Sequence, residues 1–108
     1  MKLVTKAMQK RLPALDSMPQ VPLEERQALA RFFTPWDDWS WYVLEGSQQH
    51  DGDIVFMGYV VSSHGADFGS FSLSDLQQDF DARCMRVERD KMFVPCSVAE
   101  LMARHDCY

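Results

Sequence analysis

The sequence predicts an α+β domain in which a small antiparallel sheet packs against three helices. Four short segments between residues 28 and 73 are rich in aromatic and β-branched side chains. Short polar connectors separate them, which is typical of a meander. Ser and Thr residues at capping positions mark helix starts near both ends of the chain. We therefore expect one domain spanning residues 1–108, with a meander sheet of four to five strands, an N-terminal helix, a short middle helix and a C-terminal helix.

The N-terminal helix is predicted from one cap and one apolar face. Thr5 can cap it, and Met8, Leu12 and Leu15 follow at i, i+4 and i+7. Pro13 interrupts this pattern, because a proline in a helix interior removes a hydrogen bond and clashes with the preceding turn. We expect the helix to end or kink near Leu12.

The next segment contains a linker and an ambiguous element. Residues 16–22, DSMPQVP, contain two prolines and are predicted to be a linker. Residues 23–33, LEERQALARFF, allow two interpretations. Glu24 and Glu25 are typical of the first turn of a helix, whereas ARFF before Thr-Pro is typical of a strand end. We favour a strand over 28–33.

Three further strands are predicted in the middle of the chain. In the strand 39–45, alternation places Trp39, Trp41 and Val43 on one face and Tyr42 and Leu44 on the other. IVFMGYVV, residues 54–61, is the most hydrophobic segment, and we expect it to be the central strand. FGSFSL, residues 68–73, forms the next strand after the connector SSHGAD.

The last third of the chain alternates helix, strand and helix. Ser74 begins SDLQ, a capping-box pattern that predicts a helix over 75–80. RVERDKMFV, residues 86–94, is predicted to be a strand that Pro95 stops. SVAE, residues 97–100, is a second capping box and opens the C-terminal helix.

Composition excludes several classes of protein. Hydrophobic residues make up 46% of the chain and charged residues 25%, as in ordinary globular domains. The net charge is −5, from 16 acidic and 11 basic residues, which argues against binding nucleic acid through a broad basic surface. The basic residues nevertheless concentrate at the N-terminus, where four of them occur in 11 positions: Lys2, Lys6, Lys10 and Arg11.

The expected compartment is the cytoplasm. No apolar run approaches the roughly 20 residues that cross a bilayer, and the first residues lack the continuous apolar stretch of a signal peptide. Cys84, Cys96 and Cys107 are odd in number and form no CxxC pair, so we expect reduced thiols, with Cys96 in the core.

Four motifs in a fixed order resemble a known family. They are FFTPWDDWSWYVLEG at 32–46, FMGYVV at 56–61, FGSFSLSDL at 68–76 and VERD at 87–90. In these motifs the chain resembles the bacterial domain-of-unknown-function family 2958. It departs from the family pattern at Asp67 and Ser70, where the family tends to have Glu and Tyr, so no role that rests on that tyrosine carries over. The resemblance implies a gene of a plasmid or integrative element and implies no activity.

No motif for a metal, a cofactor or a catalytic nucleophile is present. Residues 50–53, HDGD, together with His64, Asp67 and the segment 105–107, offer metal-ligand types, but no HExxH or CxxC spacing occurs. Turn formation explains HDGD. The chain also lacks a GxSxG elbow and a phosphate-binding GxxxxGK loop. We therefore predict no catalytic residue, no bound metal and no cofactor.

The remaining candidates combine aromatic and charged side chains. The tentative binding residues are Trp36, Asp37, Asp38, Trp39, Tyr42, Glu45, Arg89 and Asp90. Trp and Tyr on strands are usually core residues, and Glu45 or Asp90 could accept a hydrogen bond from them. Exposed Trp, Tyr and Arg, however, are enriched at interaction hot spots. Trp36 is the best candidate because it lies in a predicted turn.

Three functional hypotheses follow from these features. The first is a non-enzymatic binding protein of a mobile element that docks on a host or element-encoded protein, for instance a counter-defence inhibitor of a nucleic-acid-binding immune complex. The second is a small enzyme or ligand-binding domain with a pocket near Glu45, Arg89 and Asp90. The third is single-stranded nucleic-acid binding by aromatic stacking beside Lys2, Lys6 and Lys10.

Overall fold

The structure, a computed structural model, describes residues 3–77 and 86–105. Its helices are α1 (Lys6–Arg11), α2 (Leu73–Leu76) and α3 (Val98–His105), with a 3₁₀ turn at Leu23–Glu25. Its strands are β1 (Gln27–Ala28), β2 (Ala30–Phe33), β3 (Ser40–Gln48), β4 (Ile54–Ser62), β5 (Gly65–Ser72), β6 (Glu88–Arg89) and β7 (Cys96–Ser97). None of these helices is long and apolar enough to span a membrane.

The strands form the predicted antiparallel meander. The main sheet has the order β5-β4-β3-β2-β6, and β1 and β7 pair in a second sheet of two strands. The pairs β2–β3, β3–β4 and β4–β5 join consecutive strands and are all antiparallel. The α+β class, the meander and the three helices are therefore confirmed.

The first and last helices begin as their caps predict. The Met8 amide donates to the Thr5 hydroxyl at 3.2 Å, and α1 ends at Arg11, two residues before Pro13. In α3, the Glu100 amide donates to the Ser97 hydroxyl at 3.2 Å. Both N-terminal caps follow from short polar side chains that satisfy helix amides.

The middle helix begins earlier than predicted. Ser72, and not Ser74, caps α2, because the Ser72 hydroxyl accepts from the Asp75 amide at 3.1 Å. The Ser74 hydroxyl instead donates to the Asp53 carboxylate at 2.6 Å, which joins α2 to the β3–β4 turn. The predicted helix residues 78–80 lie outside the described part of the chain.

The ambiguous segment 23–33 contains both predicted conformations. Its first residues form the 3₁₀ turn, and its last residues form β2. Between them the chain passes from the small sheet to the main sheet at Leu29, whose amide donates to the Val43 carbonyl at 2.9 Å. The favoured strand is thus present, divided between β1 and β2.

Two strand predictions are corrected. The central strand is β3 and not β4, because β6 adds a fifth strand beyond β2. The predicted strand 86–94 is reduced to the two residues of β6. Asp90 ends it, since its carboxylate accepts from the Met92 amide at 2.9 Å and its carbonyl accepts from the Phe93 amide. Met92 and Val94 are then 86% and 74% exposed.

The main sheet is covered on both faces. On one face, Leu3, Met8, Leu76 and Val87 pack on the sheet residues Ala30, Phe32, Val43, Ile54 and Phe56. On the other face, Ala28, Cys96, Val98 and Leu101 pack on Tyr42, Leu44, Tyr59 and Val61. Cys96 is a core residue as predicted, and burial raises the pKa of its thiol. Cys84 and Cys107 lie outside the described residues.

The middle of the sheet is tightly packed around a bulge in β3. The register between β3 and β4 shifts between Val43 and Glu45, and four consecutive residues, 42–45, are buried. Opposite Val43, Gly58 lies so close to the β3 backbone that an added Cβ would be 1.9 Å from the Tyr42 carbonyl oxygen. Only glycine fits at position 58.

Candidate functional site

The segment 34–39 connects β2 to β3, and we call it the WDD turn. Thr34, which is 4% exposed, organises it. The Trp39 amide donates to the Thr34 hydroxyl and the Thr34 amide donates to the Trp39 carbonyl, both at 3.1 Å. The Asp37 amide donates to the Thr34 carbonyl at 3.2 Å. The turn therefore has a defined conformation, fixed by one buried threonine.

The WDD turn presents an aromatic ring and two carboxylates at the surface. Trp36 is 38% exposed, and Asp37 and Asp38 are exposed. Trp39 is half-buried, because its indole stacks on that of Trp41 with 5.8 Å between ring centroids and 20° between planes. Trp39 therefore lies just before β3, where it packs on a strand residue and stays partly exposed.

Asp38 joins the WDD turn to the β4–β5 turn. The hydroxyl and amide of Ser63 donate to the Asp38 carboxylate and lower the pKa of Asp38 below its usual value of 3.8. The lowered pKa favours the ionised form of Asp38. We call the WDD turn together with residues 62–67 the WDD end of the sheet.

Two grooves flank the WDD end, one on each face of the sheet. The larger, of about 600 Å³, is lined by Asp38, Ser40, Val61, Ser62, Ser63, Gly65, Ala66 and His105. The other, of about 390 Å³, is lined by Trp39, Val60, Ser62, His64, Gly65, Ala66 and Asp67. Since Val60 and Val61 point to opposite faces, the β4–β5 hairpin forms a wall of both grooves.

Tyr42 lies beneath the larger groove and is connected to it by His105. Its phenol oxygen is 3.0 Å from His105 Nε2, and its ring is tilted against Phe93. Because Tyr42 is 5% exposed, a partner on this face would meet His105 first. Of the predicted binding residues, Tyr42 is therefore a supporting side chain.

Glu45 lies away from the WDD end and holds the linker against the sheet. It is 1% exposed, with one carboxylate oxygen 3.7 Å from Arg26 and the other 3.4 Å from the Asp16 amide. Arg26 also donates to the Met18 carbonyl at 2.7 Å and to the Val21 carbonyl at 3.1 Å. These contacts assign Glu45 a structural role.

Arg89 and Asp90 share a cleft that Glu45 does not line. Arg89 donates to the Leu3 carbonyl at 3.3 Å, whereas Asp90 pairs with Arg31 at 3.0 Å. The pocket that the sequence suggested near Glu45, Arg89 and Asp90 is thus not a single cavity. The WDD end instead unites Trp36, Asp37, Asp38 and Trp39.

Sequence reasoning did not identify three residues that shape the WDD end. They are Thr34, Ser63 and His105. Thr34 before proline carried a local signal, because Thr hydroxyls commonly bond to nearby backbone amides in turns. Ser63 and His105 carried none, since their contacts with Asp38 and Tyr42 depend on the tertiary fold.

No cluster of three or more His, Cys, Asp or Glu side chains suited to a metal ion occurs within 3–77 and 86–105. In HDGD, the Asp51 carboxylate accepts from the Asp53 amide at 3.0 Å, and Asp53 accepts from Ser74. Hydrogen bonds from Ser74 and from the Ile54 amide lower the pKa of Asp53. Asp106 and Cys107 lie outside the described residues.

Comparison with known proteins gives one result. The family model described as "Protein of unknown function (DUF2958)" matches residues 3–104. Neither the comparison with curated proteins nor the comparison with solved structures gave a match. The match includes the WDD end and every strand of the main sheet. Over nearly its whole length, therefore, the chain belongs to the DUF2958 family.

Proposed function

We propose that this protein is a non-enzymatic binding protein that docks on a partner protein through the WDD end. The observation that carries the proposal is the exposure of Trp36 beside two exposed carboxylates in a turn of fixed conformation. A large aromatic side chain at a turn surface favours recognition, because aromatic residues dominate binding hot spots. A rigid turn also loses little conformational entropy on binding.

The charge of the WDD end defines the partner. Its two segments, TPWDDW and SSHGAD, contain three aspartates and no Lys or Arg. Hydrogen bonds from Ser63 lower the pKa of Asp38 and thereby favour its ionised form. A partner surface with Arg or Lys side chains around an apolar pocket for Trp36 complements this arrangement. Electrostatic attraction would raise the association rate, and the indole would supply the contact area.

The biological setting of the proposal comes from the family resemblance. On this proposal the gene belongs to a plasmid or integrative element, and the protein acts in the host cytoplasm. A basic host protein that is part of a nucleic-acid-binding immune complex is one partner with the required charge. Exposed Asp51 and Asp75 lie at the opposite end of the sheet. The proposal therefore concerns a local acidic surface and not imitation of nucleic acid.

Affinity capture with matched variants tests this proposal. Tagged wild-type protein, Trp36→Ala and a control, Met92→Ala, are expressed in host cells that carry active defence systems. Met92 is an 86% exposed apolar residue in a different loop. We expect a stoichiometric partner with wild type and Met92→Ala, and about a tenfold or greater loss with Trp36→Ala, as for a hot-spot aromatic residue.

Charge reversal provides a second variant of the same experiment. Asp37→Lys with Asp38→Lys should reduce the association rate of the purified partner and weaken its dependence on salt. Circular dichroism establishes that each variant is folded. Equal capture by wild type and Trp36→Ala, or the absence of any stoichiometric partner, would contradict the proposal.

A further inference from the structure

A second concave site lies on the protein, between α1 and the segment 89–93. It is a cleft of about 250 Å³, lined by Thr5, Met8, Arg11, Leu29, Ala30, Arg89, Asp90, Lys91 and Phe93. None of these residues belongs to the WDD end. The cleft brings together the basic N-terminal helix and a basic loop that follows about 80 residues later in the sequence.

The cleft is basic although the protein is acidic. Among the described residues that line it are three cations, Arg11, Arg89 and Lys91, and one carboxylate, Asp90. These four residues carry a formal charge of +2, whereas the whole chain has −5. The charge of Asp90 is compensated by Arg31, which contacts it at 3.0 Å. The Asp90 carboxylate also accepts from the Met92 amide. The field in the cleft is therefore positive.

Arg89 is held in place at the base of this cleft. Its guanidinium donates to the Leu3 carbonyl at 3.3 Å and lies 3.8 Å from the Met8 sulfur. Ladder pairing with Phe32 fixes its backbone. A guanidinium that is already oriented loses less entropy when it binds an anion than a freely rotating one does. Arg11 and Lys91 are exposed and line the same cleft as Arg89.

We propose that this cleft binds a small phosphate-bearing anion. Guanidinium and ammonium groups that line one concavity complement the charge of phosphate oxygens. A volume of about 250 Å³ corresponds to roughly eight water molecules, enough for one or two phosphate groups and below the range for drug-sized ligands. Phe93 forms an apolar wall beside the phosphate position and can contact an attached organic group.

Calorimetric titration of the full-length protein tests this site with pyrophosphate as the probe. The titration is done at low ionic strength, where screening is weak. The matched variants are Arg11→Gln, Lys91→Gln and, as a control, Lys10→Gln, which removes the same charge from α1 outside the cleft. We expect about a tenfold loss of affinity for each of the first two and less than about twofold for the control, because charge-assisted hydrogen bonds require contact.

Further probes identify the source of the phosphate. Adenosine monophosphate is compared with adenosine, which should not bind, and tighter binding of the monophosphate than of inorganic phosphate would indicate a nucleotide. Absence of pyrophosphate binding, or equal weakening by all three variants, would overturn the proposal. Binding of a single-stranded oligonucleotide that pyrophosphate cannot displace would also overturn it, in favour of a nucleic-acid surface. None of these outcomes depends on the WDD end.

Discussion

The middle of the sheet and its WDD end are built in opposite ways. In the middle, residues 42–45 are buried one after another, and Phe32 and Phe56 have no exposed area. Gly58 lies directly against the β3 backbone. In the WDD turn, four of the six residues are exposed, and hydrogen bonds that involve Thr34 and Ser63 maintain the conformation.

This difference separates stability from recognition. Apolar burial and close packing concentrate in the middle, so substitutions there should unfold the protein. The WDD end contributes few buried apolar atoms, so its side chains can change with small effects on folding. A protein arranged in this way permits a test of binding residues without loss of the fold.

The largest effect is expected for Gly58→Ala in the middle of the sheet. An added Cβ would be 1.9 Å from the Tyr42 carbonyl oxygen, and backbone on both strands would have to move. We expect a loss of about 3 kcal/mol or more in the free energy of unfolding, measured by urea denaturation. Gly69→Ala is the matched control, because Gly69 pairs with Gly58 on β5 but has open space around it. If Gly58→Ala had the stability of the wild type, the β3 and β4 backbones would not be in close contact at this position.

A smaller effect is expected for Glu45→Gln. The substitution keeps the size of the side chain, which is 1% exposed. It removes the negative charge of the carboxylate, whose Oε2 lies 3.7 Å from Arg26 Nη1. We expect a loss of about 1–3 kcal/mol in urea denaturation, because Arg26 keeps its charge in a mostly buried position. Glu100→Gln removes one partner of the exposed pair Arg104–Glu100, which spans 4.0 Å, and should cost less than about 0.5 kcal/mol. Equal effects of the two substitutions would contradict a structural role for Glu45.

Much of the fold could be predicted from local sequence because its determinants are local. Thr5 and Ser97 cap helices through hydrogen bonds within three residues, and the alternation from Trp39 to Leu44 assigns each side chain to a face. The errors arose where a distant residue decided the outcome. Ser74 matched a capping pattern, but Asp53 offered its hydroxyl a carboxylate partner, and Ser72 became the cap.

The candidate site could be predicted only in part for the same reason. Trp36, Asp37 and Asp38 are adjacent in sequence, so a turn was enough to place them together on the surface. Glu45 and Asp90 resembled them in residue type. The carboxylate of Glu45, however, faces the mostly buried Arg26, and that of Asp90 pairs with the half-buried Arg31. No local pattern distinguishes a carboxylate that pairs within the fold from one that remains at the surface.

The smallest effect concerns the acid range and compares the two ends of the sheet. Hydrogen bonds from Ser63 lower the pKa of Asp38, and hydrogen bonds from Ser74 lower that of Asp53 at the opposite end. A carboxyl group with a lowered folded-state pKa contributes stability that is present above its unfolded-state pKa, near 3.8, and is lost as the pH falls through the folded-state value.

Carboxyl chemical shifts followed by NMR should therefore titrate below pH 3.8 for both residues in the wild-type protein. Ser63→Ala should move the midpoint of Asp38 back towards 3.8 and leave that of Asp53 unchanged, whereas Ser74→Ala should do the reverse. If either variant shifted both titration midpoints, the pKa values of Asp38 and Asp53 would depend on one shared electrostatic field and not on separate hydrogen bonds. Independent shifts would instead establish that each lowered pKa depends on its own serine hydroxyl. Ser63→Ala is then a variant that removes a contact between the WDD turn and the β4–β5 turn while keeping the charge of Asp38 at neutral pH.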